Sequence, residues 1–316
     1  MTREDGRRQS RLLATIAMFG WLIAGWVTSS NAADGPYLFS YFKGNGEDGL
    51  HLAWSDDGLK WESLRNDQSF VAPQVGGKLM RDPSLVQGED GVFHMVWSSG
   101  WWDRGFGYAS SKDLVNWSEQ RYIPANEMVA GAKNTWAPDL YFDAKTNEFV
   151  AVFATTVPGR FPETDQGGDY NHRQYWVKTK DFREFSAPAL ALNPGYNCID
   201  ATLFAVDGRV AAIFKDERPS QKRLRLATAS ALGEPWKFSD QPIIERDWVE
   251  GPTVLRLGNV WRVYFDCYTK GHYGAAESRD GLTWHDITEK VSFPKGARHG
   301  TAFPVSRELL DSLRKL

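Results

Sequence analysis

Acidic residues recur near the start of four of five similar segments. These are Arg81-Asp-Pro-Ser-Leu-Val86, Trp136-Ala-Pro-Asp-Leu-Tyr141, Ile199-Asp-Ala-Thr-Leu-Phe204, Glu250-Gly-Pro-Thr-Val-Leu255 and Arg298-His-Gly-Thr-Ala-Phe303. Four of the five carry an acid: Asp82, Asp139, Asp200 and Glu250. Carboxylates drawn into one cleft repel each other, so at least one keeps its proton near neutral pH. One acid that protonates a leaving oxygen and one base that activates water are what glycosidic hydrolysis requires. Taken singly, Asp-Pro and Glu-Gly-Pro are also ordinary turn sequences. Their weight comes from falling in register with a repeat.

That repeat is built from strands. Tyr37-Leu-Phe-Ser-Tyr-Phe42, Val92-Phe-His-Met-Val-Trp97, Phe149-Val-Ala-Val-Phe153, Val210-Ala-Ala-Ile-Phe214 and Val260-Trp-Arg-Val-Tyr-Phe265 are short β-branched and aromatic runs between turn residues. A second motif follows the same period: Ala53-Trp-Ser-Asp-Asp-Gly-Leu-Lys-Trp61, Ala109 to Trp117, Val177 to Phe185, Ala227 to Trp236 and Ala276 to Trp284. Five such copies predict an all-β, five-bladed β-propeller with four-stranded blades around an axial channel. The first aromatic copy has no acidic segment before it, and the last acidic-type segment, near His299, has no aromatic copy after it. The C-terminal strand is therefore expected to join the N-terminal blade and close the ring, which removes the exposed sheet edges. The innermost strands would bring the four acids to one channel mouth.

The ordered set Arg-Asp-Pro, Trp-Ala-Pro-Asp, Ile-Asp, Glu-Gly-Pro and Arg-His-Gly resembles glycoside hydrolase family 43, over Tyr37 to Val305. The resemblance implies a five-bladed propeller that inverts configuration at the anomeric carbon. It implies Asp82 as general base, Glu250 as general acid, and Asp200 as the carboxylate that raises the pKa of that acid. The family commonly has Pro after this third carboxylate, where this chain has Ala201. Asp139 is expected to bind substrate or to be structural. His299 is expected near the channel axis; no cofactor is required, and any metal would be a structural calcium held there through water. Arg298, Trp136, Trp101 and Trp102 are the candidates for sugar contacts. The expected activity is removal of terminal sugars from plant-type polysaccharides or oligosaccharides, with α-L-arabinofuranosyl ranked first. A β-xylosidase or galactose-releasing enzyme is the alternative, and a carbohydrate-binding propeller the non-enzymatic one. A related propeller class that uses a covalent Asp carries Asn-Asp-Pro-Asn-Gly, unlike Arg81-Asp82-Pro83-Ser84.

Composition agrees with this class. Lys+Arg 37 against Asp+Glu 40 leaves a net charge of −3, which argues against a nucleic-acid partner. The basic start, the apolar run Leu12 to Val27 and the small residues before Ala33 read as a signal peptide over 1–32. The run is shorter than the roughly 18–20 residues of a membrane span, so an exported (periplasmic or secreted) monomer over 33–316 without stable membrane association is expected. Cys198 and Cys267, in strand-like contexts, are expected to be buried free thiols. Trp 14 is high for this length. Trp61, Trp117, Trp236 and Trp284 are read as blade markers.

Overall fold

The computed structural model describes residues 35–165, 167 and 170–316. The expected signal segment 1–32 lies outside the described residues.

Alternating apolar strands and tight turns build five antiparallel four-stranded sheets. Each acidic segment forms an innermost strand: Arg81–Gln87, Trp136–Asp143, Cys198–Val206 and Glu250–Leu257. The fifth innermost strand is Ala302–Pro304, which pairs with Tyr37–Tyr41 through Tyr37↔Pro304 and Phe39↔Ala302. The last strand thus completes the first blade, and the ring closes as the sequence predicts.

The core lies between blades. Leu38, Leu52, Leu85 and Trp97 join the first and second blades. Phe106, Phe153 and Val177 join the second and third, and Val152, Trp176, Leu203 and Phe214 the third and fourth. Phe204, Ile213, Val263 and Phe265 join the fourth and fifth, and Phe39, Trp61, Tyr264 and Tyr273 the fifth and first. Trp61 stacks on Phe293 at 5.5 Å, and Trp284 meets Phe204 across the next interface. The blade-marking tryptophans are therefore inter-blade packing, as their repetition implies. Gly107 is part of this packing, since a Cβ there would lie 2.0 Å from the Trp97 ring. Gly107→Ala is expected to destabilise the fold by roughly 1–3 kcal/mol through overpacking, read as a lower urea midpoint at unchanged slope.

The aromatic repeat has a local cause. Asp57, Asp113, Asp181 and Asp280 each accept hydrogen bonds from backbone N–H groups two and three residues on. The residue after each acid has positive φ: Gly58, Leu114, Phe182 and Gly281. The turn fixes where the closing aromatic enters the interface. The fourth copy has Ala231-Leu232-Gly233 instead and forms a plainer turn. After the last strand, Ser306 caps a short helix, Arg307–Leu313, whose Leu310 and Leu313 seal the interface of the first two blades. Cys198 and Cys267 are buried and unpaired, as expected.

Candidate active site

Each of the four acid-bearing innermost strands opens with a bulge. The pairing shifts between Arg81/Ser84, Trp136/Asp139, Ile199/Thr202 and Glu250/Thr253. The second residue of each bulge has positive φ: Asp82 52°, Ala137 45°, Asp200 53° and Gly251 55°. Asp tolerates this left-handed region better than most residues. At Gly251 a Cβ would come 2.4 Å from the His299 ring, so no side chain fits there. The acid of that blade stands one residue earlier, at Glu250.

The register corrects one expectation. The four acids do not occupy equivalent positions. Asp82 and Asp200 share the second bulge position, and Glu250 takes the first. Asp139 falls at the fourth, equivalent to Ser84, Thr202 and Thr253, further along the channel. It does not line the cavity that holds the other three. It accepts a hydrogen bond from Ser84 Oγ at 2.8 Å and bonds Thr202. Burial pushes its carboxyl up to about 6 against these bonds and the His299 charge. Asp139 is thus a polar tie between neighbouring blades.

The cavity at the bulges has a volume of about 410 Å³, within the roughly 300–1,000 Å³ of small-molecule sites. Asp82, Asp200, Glu250, Arg298, His299, Trp101 and Trp136 all line it. Trp102 does not. It is exposed and packs on Trp136 and Tyr170 at the rim. The Trp136 indole N–H donates to the Trp101 carbonyl at 2.6 Å, and Arg81 lies 4.3 Å over the Trp101 ring. These contacts hold the wall in place.

Asp82 accepts from Ser98 Oγ at 2.7 Å and faces His299 Nδ1 at 3.2 Å. Burial opposes its ionisation, but His299, Arg81 and Ser98 outweigh it and hold the carboxyl at about 2. Asp82 is an ionised carboxylate at any working pH. Burial likewise opposes charge on His299, yet Asp82, Asp200 and Glu250 raise its pKa to about 9.

The protonation of the other two acids differs from the sequence expectation. Glu250 accepts from Lys215 Nζ at 2.9 Å and from Arg298 at 2.9 Å. Burial would raise its pKa, but these two cations hold it below the usual value. Asp200 is deeply buried and accepts from the Gly251 N–H at 3.1 Å. Burial, with the nearby Glu250 charge, raises its pKa to about 6 against the pull of His299. The like-charge repulsion is present, but its proton falls on Asp200, because Glu250 alone holds two cations. Arg298 is similarly committed: its Nε binds Asp266 at 2.5 Å while its other arm holds Glu250. Its main contacts are carboxylates, not an open place for sugar hydroxyls.

Tyr268 and Ser98 in the cavity wall carry no signal in the sequence, and Lys215, Glu217 and Tyr170 join them there. Lys215 also pairs with Glu217 at 2.8 Å and lies 4.5 Å over the Tyr268 ring. The run Lys215-Asp-Glu-Arg218 at a strand end carries a signal, but a charged strand end reads first as a solvated turn. Tyr170 stands just before the strand His172–Thr179.

A calcium ion wants six to eight oxygen ligands. Among the described residues no group of three or more His, Cys, Asp or Glu could hold a metal. A calcium ion near His299 would therefore take most of its ligands from water.

A five-bladed propeller whose channel mouth gathers three carboxylates, with aromatic walls beside them, defines a glycosidase-type site. A family-43-related model described as a probable glycosyl hydrolase domain matches residues 34–311. The chain belongs to this family. It is 24% identical over 279 residues to an α-L-arabinofuranosidase of Bifidobacterium longum subsp. longum, covering 72% of this chain and 25% of that protein. The chain therefore spans about a quarter of that relative's length. Among solved structures, a thermostable family-43 glycoside hydrolase matches at TM-score 0.54 and 18% identity, over 73% of this chain and 80% of that one. An α-L-arabinofuranosidase from Lactobacillus brevis matches at TM-score 0.51 and 18% identity, over 66% and 72%. A β-1,3-galactosidase matches at TM-score 0.50 and 14% identity, over 69% and 79%. At these identities the structures speak for the fold.

Proposed function

We propose that the protein is an exported, inverting exo-glycosidase that releases terminal sugars, α-L-arabinofuranosyl first, from plant-type polysaccharides or oligosaccharides. The observation that carries the reading is the division of charge in the cavity. Asp82 is ionised and isolated on His299 and Ser98, as a general base must be. Glu250 and Asp200 form a separate pair that can retain a proton. Asp82 and Glu250 share no hydrogen-bond partner, in keeping with two carboxylates that leave room for a water between them. Asp82 takes a proton from that water. Glu250, in the fraction of molecules where it carries the one proton the pair retains, gives that proton to the leaving oxygen.

The arabinofuranosidase relative favours that sugar among the activities of the fold. Nitrophenyl α-L-arabinofuranoside, β-D-xyloside and β-D-galactoside, offered in parallel, test it. Fastest cleavage of the arabinofuranoside supports the reading, preference for another member reassigns the sugar, and no cleavage with retained oligosaccharide binding replaces it with a binding propeller.

The Glu250–Asp200 pair loses its proton as pH rises through about 6, so kcat/KM should fall there. Lys215→Met removes a buried cation from Glu250, and Glu250 then holds a proton to higher pH. The alkaline limb of kcat/KM is expected to move up by about one unit, with a lower maximum. An unmoved limb would mean that Lys215 does not govern the acid.

A further inference from the structure

Among the described residues three bulky apolar side chains stand at positive φ: Leu114 at 62°, Phe182 at 56° and Trp248 at 57°. Such a conformation costs energy for a bulky side chain and persists only when the surroundings enforce it. Leu114 and Phe182 are buried in the inter-blade core, which offsets the cost. Trp248 is 46% exposed, and no comparable burial offsets its strain. The backbone around it is nevertheless held. Val249 is buried and its N–H donates to the Lys222 carbonyl at 3.2 Å. Arg246 pairs with Asp286 at 2.9 Å. The chain is thus clamped on both sides of an indole turned outward.

Trp248 precedes Glu250 by two residues and meets Tyr268 edge-on at 6.1 Å. Tyr268 lines the cavity under Lys215, which in turn holds Glu250. Trp248 and Tyr268 therefore extend the cavity outward on the side of Glu250. The Trp101 and Trp136 wall is a separate aromatic group, joined to Tyr170 and His172. We infer that Trp248, backed by Tyr268, is the platform for the sugar ring of the leaving group. This rests on the glycosidase reading above, in which Glu250 protonates the leaving oxygen and the departing sugar must lie beside it. A rigid exposed aromatic gives contact area with little ordering cost. Its chemical class of ligand is a pyranose or furanose ring presenting an apolar face.

The test compares α-1,5-linked arabinotriose, which has a leaving-group sugar, with methyl α-L-arabinofuranoside, which has none. In Trp248→Ala the ratio of the two kcat/KM values should fall about tenfold, as expected for loss of an aromatic anchor, and Trp248→Phe should recover part of it. Calorimetric binding of arabinotriose to Glu250→Gln, with and without Trp248→Ala, gives the same comparison without turnover and should weaken about tenfold. An unchanged ratio with unchanged binding, or an equal fall on both substrates, overturns the platform while leaving the glycosidase reading intact. Failure of the wild type to cleave either substrate counts against the proposed sugar instead, and the binding comparison then decides the platform. Absence of any arabinotriose binding overturns both.

Discussion

Glu250→Gln is expected to lower kcat/KM on oligosaccharides by about 10²–10⁴, the usual worth of a positioned general acid. The same variant should lose far less on a dinitrophenyl glycoside, whose leaving group departs without a proton. The contrast between substrates is the informative part. A misfolded or misplaced site would lose activity on both alike. Glutamine keeps the size of the side chain, and its one carbonyl oxygen can still accept from either Lys215 or Arg298, so the cavity should survive. Losing the negative charge does leave those two cations short of a partner. A thermal melt alongside the kinetics separates that cost from the chemical one.

Asp82→Asn is expected to lose about 10²–10⁴ on every substrate, whatever its leaving group. Water must be activated in each case, and an amide cannot take its proton. The geometry allows a clean substitution, because Ser98 Oγ can still donate to the amide oxygen. His299 loses the closest of the anions that keep it protonated, so its pKa should fall from about 9. Proton NMR of the imidazole checks that shift independently of catalysis. Equal loss on good and poor leaving groups for Asp82→Asn, against unequal loss for Glu250→Gln, assigns base and acid to the two residues.

Much of this architecture was legible in the sequence because it repeats. Five aromatic turns and five strand-start motifs define the blade count, and their offset at the two ends predicts closure by the last strand. Asp82, Asp200 and Glu250 share a cavity because each blade delivers its inner strand to the same mouth. What was not legible is what depends on register within a bulge. Asp139 looks like its fellows in sequence, yet two residues of strand carry it past the cavity to a tie with Ser84. The acidity of Glu250 could not be read either. It is set by Lys215 and Arg298, which come from other blades and meet it only through the closed ring. Trp248 follows no repeat, so periodicity is silent about it. The C-terminal helix is too short for a helical period to stand out from seven residues.

The account turns on an ionised Asp82 that activates water across the sugar from Glu250, and that arrangement inverts the anomeric centre. Proton NMR of the first sugar released from an α-L-arabinofuranoside tests it most directly. The account predicts that β-L-arabinofuranose is released first and then relaxes to the equilibrium mixture. Initial release of the α anomer would contradict it, since retention requires a carboxylate that attacks the sugar itself.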